Sequence, residues 1–342
     1  MKRAKLAGFG LFFSIIIFTL LGCTAEKPDG KRTVKIGYLP ITHAMPLFVE
    51  KELGGYDFEF ELIQFGSWPE LMDALNTGRI DGASVLITLA MKAKEQGIDL
   101  KAVALGHRDG NVVVTAKEIE RVEDLQGKTF AIPHKFSTHN ILLYKMLTQH
   151  GLEYEDIRVV EMPPAEMPAA LSEGRIAGYI VAEPFGAVSV AAGKGKVLFQ
   201  DRDIWPDSID CALVLRGDFI EKNRPIAEEL VRFYARAGDK AQEKDRHVAE
   251  MASKYMKTNK QVLDLSLQWI QFDDLQIDKE DYEELWNTLL EMELIEHPPS
   301  YHDFIDPTLI TGWDMGTGSV SHFDAAGQGD RLAVPFLEKL EK

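Results

Sequence analysis

Residues 134–140 read His-Lys-Phe-Ser-Thr-His-Asn, and the amphipathic run Ile-Leu-Leu-Tyr-Lys-Met-Leu follows at once. Ser137, Thr138, His139 and Asn140 therefore stand where a helix begins, beside backbone N–H groups that have no intrahelical partner. Two roles suit them. They can cap the first turn, or they can hold an oxyanion, because free N–H groups and the helix dipole both favour negative charge there. Other candidate residues stand at the ends of strand-like runs. Thr42 and His43 follow Val34–Pro40, Ser67 and Trp68 follow residues 57–65, Ser84 closes the next run, His107 ends the fourth, and Glu183 ends Gly-Tyr-Ile-Val-Ala. His134 belongs to the same set. Ser67 suits a helix cap as well as a ligand contact, and Trp68 suits packing as well as an aromatic wall. Glu183 has apolar neighbours and is costly to bury alone. It can orient a histidine, coordinate a cation, or pair with a cationic group on a ligand.

His43, His107, His134 and His139 are four of nine histidines in the chain. Their separation excludes a short zinc motif. It leaves a composite metal site in which His43, His107, His139 and Glu183, with Asp210, converge from distant segments. No Gly-x-Ser-x-Gly elbow, His-Glu-x-x-His or phosphate-binding Gly-x-x-x-x-Gly-Lys loop is present, so the sequence gives no support to an enzyme.

Strand and helix patterns alternate along the chain. Strand-like runs at 34–40, 57–65 and near 84 are each followed by a helical run, and "LKAVALGH" and "NVVVTAK" add two strands. After residue 117 the pattern restarts, through "TFAIPH", "IRVVEM", "AGYIVAEPF" and "KVLFQD", and a return strand begins near Cys211. This predicts an α/β protein with mainly parallel sheets. "LMDALNTGRIDGASV" (71–85) and "MPAALSEGRIAGYIV" (167–181) share one layout: helix, Gly turn, Arg-Ile, Gly, buried strand. Two similar lobes are implied, with ligand space beyond the carboxyl ends of their strands.

The N-terminus carries Lys2, Arg3 and Lys5 before an apolar run too short for a stable span, and Leu20-Leu21-Gly22-Cys23 reads as a lipobox. Residues 1–22 are expected to be a signal peptide, Cys23 a lipidated first mature residue, and 23–33 a polar tether. Losing those three basic residues takes the net charge from −16 to −19, which argues against nucleic acid. With Cys23 lipidated, Cys211 has no disulfide partner and reads as a buried thiol.

The segments "IGYLPITHAMPL", "GRIDGASVL", "FSTHNILLYKML", "GRIAGYIVAEPFGA" and "DIWPDSIDCALVLRGDFIEK", in that order, resemble the solute-binding lipoproteins of bacterial ABC importers. The resemblance runs from Val34 to Asn223 and is to the nitrate, sulfonate, bicarbonate and taurine branch, which is related to thiamine-pyrimidine-binding proteins. It implies a two-lobe periplasmic-binding-protein fold of type II with the cleft between lobes. Lobe 1 would be discontinuous (34–116 and 212–305), lobe 2 would span 117–211, and 306–342 would be a C-terminal extension. The implied function is capture of a small oxyanion or sulfonate outside the cytoplasm by a membrane-anchored monomer, for delivery to an ABC permease and its ATPase. The alternatives are a thiamine-pyrimidine-like heteroaromatic or a metal-assisted ligand. No cofactor is implied beyond a divalent cation accompanying the ligand, which has precedent in the bicarbonate branch. Such proteins close by a hinge motion.

Overall fold

The computed structural model describes residues 31–311. The expected signal peptide, Cys23, most of the tether and residues 312–342 lie outside the described residues. Among the described residues no helix is long and apolar enough to cross a membrane.

Among the described residues twelve strands run in chain order: β1 (Thr33–Tyr38), β2 (Glu59–Gln64), β3 (Gly82–Leu86), β4 (Leu100–Leu105), β5 (Arg108–Asp109), β6 (Asn111–Thr115), β7 (Thr129–Ile132), β8 (Arg158–Glu161), β9 (Gly178–Ala182), β10 (Lys196–Gln200), β11 (Cys211–Arg216) and β12 (Ile270–Gln271). They form two five-stranded sheets, in the orders β2-β1-β3-β11-β4 and β8-β7-β9-β6-β10, and a two-stranded ribbon of β5 with β12. The two large sheets have one topology. In each, β1 or β7 lies between the two strands that follow it and pairs with both in parallel. In each, one antiparallel visitor, β11 or β6, is inserted between the third and fourth strands. The central strands β3, β6 and β9 are wholly buried, which is why they read as unbroken apolar runs rather than alternating ones. β3 and β9 hold equivalent places in their sheets, so the echoed helix-Gly-Arg-Ile-Gly segments record a structural duplication.

Helices connect the strands: α1 (Met45–Leu53), α2 (Trp68–Asn76), α3 (Ile87–Glu95), α4 (Thr138–Gln149), α5 (Met167–Ser172), α6 (Phe185–Ala191), α7 (Asp201–Ile204), α8 (Gly217–Lys222) and α9 (Arg224–Gln242). Pro46 and Pro69 stand in the first turns of α1 and α2, where a missing N–H costs nothing. The amphipathic α9 buries Leu230, Val231, Tyr234 and Ala237 against α1, so the C-terminal third covers the first sheet.

One expected boundary differs. A crossing near Lys117 would leave Asn111–Thr115 with the first sheet, yet β6 pairs with β9 and β10 in the second. The chain leaves the first sheet at Gly106–Gly110, one strand earlier. A strand reading Asn-Val-Val-Val-Thr carries no mark of which sheet it joins.

Candidate functional site

The carboxyl ends of the parallel strands and the amino starts of the two antiparallel visitors share one edge of each sheet. His43 follows β1, His107 follows β4, and His139 is the second residue of α4 after β7. Asp109 and Gly110 precede β6, and Asp210 precedes β11. These segments converge. The His43 and His107 rings lie 3.6 Å apart between centroids. His43 Nδ1 is 3.1 Å and His107 Nε2 3.8 Å from Asp210 Oδ2. The Cys211 thiol, 3.8 Å away, points at the same oxygen. His43, His107, His139, Asp210 and Cys211 are each 2% exposed or less.

Backbone carbonyls set the ring tautomers. His43 Nε2 lies 3.0 Å from the Gly110 carbonyl, and His107 Nδ1 lies against the Asp109 carbonyl. A carbonyl cannot donate, so those nitrogens carry protons, and in the neutral rings the opposite nitrogens present lone pairs. The turn that offers both carbonyls is itself unusual, with φ of 56° at Asp109 and 96° at Gly110. A positive φ at a non-glycine residue is disfavoured and is held here by the surrounding pairing. Gly106 is needed for close approach, because a Cβ there would meet the His43 carbonyl at 2.6 Å.

The electrostatics of the cluster are unbalanced. Burial alone would raise the Asp210 carboxyl, but His139, His43 and His107 outweigh it and hold the group below the usual carboxylate range. Asn111 Nδ2 donates to Asp210 Oδ2 at 3.2 Å. Burial pushes His139 down to about 4 and holds His107 well below the ordinary imidazole value, with the neighbouring His43 adding to the effect on His107. His43 Nδ1, His107 Nε2, both ring nitrogens of His139 and Asp210 Oδ1 are buried with no hydrogen-bond partner. Such atoms are expensive in isolation. Among the described residues, the ligand-capable atoms of His43, His107, Asp210 and Cys211 form a group able to hold a metal ion.

The other expected site residues fall in three places. Thr42 is buried at the junction: its N–H and hydroxyl both donate to the Glu183 carbonyl, at 2.8 and 3.1 Å. The Glu183 side chain turns to α6, where both oxygens accept from the Ala187 N–H at 3.0 and 3.2 Å. Burial raises its carboxyl to about 8, against the lowering effect of those N–H groups. Glu183 is thus a helix cap here and is not part of the metal-capable group. Ser137 caps α4 by accepting from the Asn140 N–H, and Thr138 Oγ1 reaches the Ile209 carbonyl at 3.5 Å. Asn140 is engaged on both sides, donating to the Lys135 carbonyl and accepting from the Tyr154 hydroxyl. Ser67, Trp68 and His134 line a separate cleft of about 300 Å³ with Pro133 and Glu161. Ser67 makes no side-chain cap there, and Trp68 is buried with Nε1 unpartnered. Ser84 is buried within β3, its hydroxyl also unpartnered.

Asp210 and the carbonyls of Asp109 and Gly110 sit at strand starts. The sequence names Asp210 among the converging residues but not the two carbonyls, which reach this edge because an antiparallel visitor brings its start there.

Comparison with known proteins places this chain in a family. A zinc-bound ligand-binding component of an ABC-type import system from Staphylococcus aureus is 41% identical, with a TM-score of 0.78, and the alignment covers 82% of this chain and 98% of that one. The nitrate-binding protein NrtA of Synechocystis shares the fold at 18% identity and a TM-score of 0.72, over 82% of this chain and 87% of that one. In sequence, the nitrate/nitrite binding protein NrtA of a Nostoc species is 26% identical over 65% of this chain and 57% of its own length. The nitrate import ATP-binding protein NrtC of Synechocystis is 28% identical over 56% of this chain, which spans only 32% of that relative. The sequence pattern of the NMT1-like family matches residues 27–255, more than half of the chain, and the protein belongs to that family.

Proposed function

We propose that this protein is the substrate-binding component of an ABC-type importer. It captures a small solute of the nitrate or sulfonate kind at the histidine–aspartate cluster and delivers it to a membrane permease and its ATPase. The observation that carries this reading is the convergence of buried, unpartnered polar side chains from both large sheets at one edge, in a chain whose relatives are named for binding and import. A solute between the two halves supplies the partners those atoms lack. The proposal treats residues 34–105 with 211–305 as one lobe and 111–200 as the other, closing by a hinge at the two crossings. Leu20-Leu21-Gly22-Cys23 supports an extracytoplasmic, lipid-anchored location.

Asp210 favours a second reading. An ionised carboxylate inside the cluster repels an anion unless a cation lies between them. The test is thermal unfolding of the full chain with nitrate, bicarbonate, taurine, an alkanesulfonate and divalent metals, each alone and in combination. A true ligand at a hundred times its dissociation constant adds about 2.7 kcal/mol. A solute that stabilises the protein and is recovered unchanged after denaturation supports transport. Chemical conversion of the bound solute, or no response to any of them, defeats the proposal.

A further inference from the structure

Two imidazole lone pairs and a carboxylate face one another on side chains that are each 2% exposed or less. The Gly110 and Asp109 carbonyls fix the protons of His43 and His107 on the outward nitrogens. The inward nitrogens and the Asp210 carboxylate are then all acceptors, 3.1 and 3.8 Å apart. With both rings neutral, nothing in the cluster donates between rings and carboxylate. Asn111 and the Cys211 thiol approach Asp210 Oδ2 from their own sides, and Oδ1 has no partner. Acceptors aimed at acceptors in low dielectric are repulsive, and the arrangement is stable when a cation occupies the middle.

We propose that this cluster binds a divalent transition-metal ion of the zinc class, with His43 Nδ1, His107 Nε2 and Asp210 as ligands from one side and His139 closing the site from α4. The inference rests on the solute-capture reading for the place of the site, and it names the class of ion that the place takes. Three imidazoles and one carboxylate make the four-coordinate nitrogen and oxygen set that suits zinc and its neighbours, and suits magnesium or calcium poorly. The outer shell is already built: each of the two tied rings donates its other N–H to a backbone carbonyl, which orients metal-binding histidines and raises their basicity. His139 is assigned as the fourth ligand because both of its buried ring nitrogens lack partners. The Cys211 sulfur belongs to the same metal-capable group and points at Asp210 Oδ2 at 3.8 Å, so it is the competing fourth ligand.

The experiment titrates the full chain, stripped with a chelator, with zinc chloride alone, followed by calorimetry and native mass spectrometry. One ion per chain is expected, with no competition from excess magnesium or calcium. His43→Ala, His107→Ala and Asp210→Asn should each weaken zinc by more than about 100-fold, since outer-shell changes alone cost up to that much. Cys211→Ser should weaken zinc by only about 10-fold, the effect of a group beside a ligand and not of a ligand itself. X-ray absorption at the zinc edge should report imidazole nitrogens and no sulfur near 2.3 Å. Circular dichroism of each metal-free variant separates lost ligation from lost folding, and His139→Ala, whose ring makes no hydrogen bond, is the variant least exposed to that ambiguity. Zinc binding unchanged in His43→Ala or Asp210→Asn would overturn the site. Sulfur in the coordination sphere would overturn the choice of His139 over Cys211. Tight binding of nitrate or a sulfonate without zinc, together with no stoichiometric zinc, would defeat the metal inference and leave the transport reading standing. A failure of every solute and every metal defeats both.

Discussion

His43 and His139 hold matching places in two halves of one design, each just beyond the first parallel strand of its sheet, where the first helix begins. Their surroundings differ. His43 lies in a tight turn before Pro46, with no side-chain cap, and its ring is tied by Nε2 to the Gly110 carbonyl. His139 lies one residue inside a helix capped by Ser137, and its ring has no hydrogen bond at either nitrogen. One histidine is pre-oriented by the fold, and the other is held only by packing. Pre-orientation on one side and freedom on the other is what a site needs if one half supplies a rigid cradle and the other closes on it. The ends of β3 and β9 differ in the same way. At the first, the Ile87 N–H donates to the Asp210 carbonyl; at the second, the Glu183 carboxyl caps α6.

The largest stability effect should come from that second contrast, as a dependence on pH. Burial lifts the Glu183 carboxyl from 4.5 to about 8 in the folded protein. Between those values the folded state keeps a proton that the unfolded state has lost. Its contribution to stability is therefore full below about 4.5 and is lost as pH rises through about 8. At about 1.4 kcal/mol per unit the loss is a few kcal/mol. Asp201, raised by burial to about 7, adds a decline in the same direction, and the lowered His107 and His139 oppose it at acid pH. The difference between wild type and Glu183→Gln isolates the one group, because Gln keeps an acceptor for the Ala187 N–H. Denaturant unfolding of the metal-free proteins at pH 5, 7 and 9 should show the variant gaining on the wild type at each step. Parallel curves would mean that Glu183 is ionised and otherwise compensated, and the contrast between the strand ends would then be one of shape alone.

The paired histidines give the next effect. His43→Ala leaves the Gly110 carbonyl buried without a donor and should cost about 1–3 kcal/mol in the metal-free protein. His139→Ala removes a ring with no hydrogen bond to lose, so its cost is confined to packing and offset by relief of two unsatisfied nitrogens. A gap of about 2 kcal/mol between the variants is expected from unfolding midpoints at equal denaturant dependence. Equal losses would show that His139 is as firmly built in as His43, and the picture of one fixed half and one closing half would fail.

Much of this was legible in the residues. Buried parallel strands read as unbroken apolar runs, so the alternation and the duplicated Gly-Arg-Ile-Gly segments exposed two α/β halves. His43, His107 and His139 were legible as neighbours because they stand at the carboxyl ends of parallel strands, which share one edge. The rule is blind to antiparallel visitors. β6 and β11 present their starts at that edge, and with them Asp109, Gly110 and Asp210. Asp210 entered the reading only as a companion to Glu183, which looked the better carboxylate because it closes an apolar strand. The fold turned Glu183 aside to cap α6, a choice made by the close approach that Gly186 permits between that helix and the β6 side chains. That approach is between segments more than sixty residues apart, and no local pattern records it.

The smallest effect concerns the cap that carries His139. Ser137 Oγ accepts from the Asn140 N–H at 3.2 Å and donates to the His134 carbonyl at 2.6 Å, so it both starts α4 and closes the preceding turn. Ser137→Ala should cost about 1 kcal/mol, the usual worth of an N-cap. The first half has no counterpart, since α1 begins without a side-chain cap and relies on Pro46. If His139 is positioned by its helix alone, fraying the first turn should also weaken zinc, though by less than about tenfold, because the outer-shell carbonyls of His43 and His107 are untouched. Ser137→Thr keeps the oxygen and should restore both quantities. A loss of stability with zinc affinity unchanged would mean that packing of the imidazole against Asp210 and its neighbours, rather than the start of α4, fixes the closing ligand.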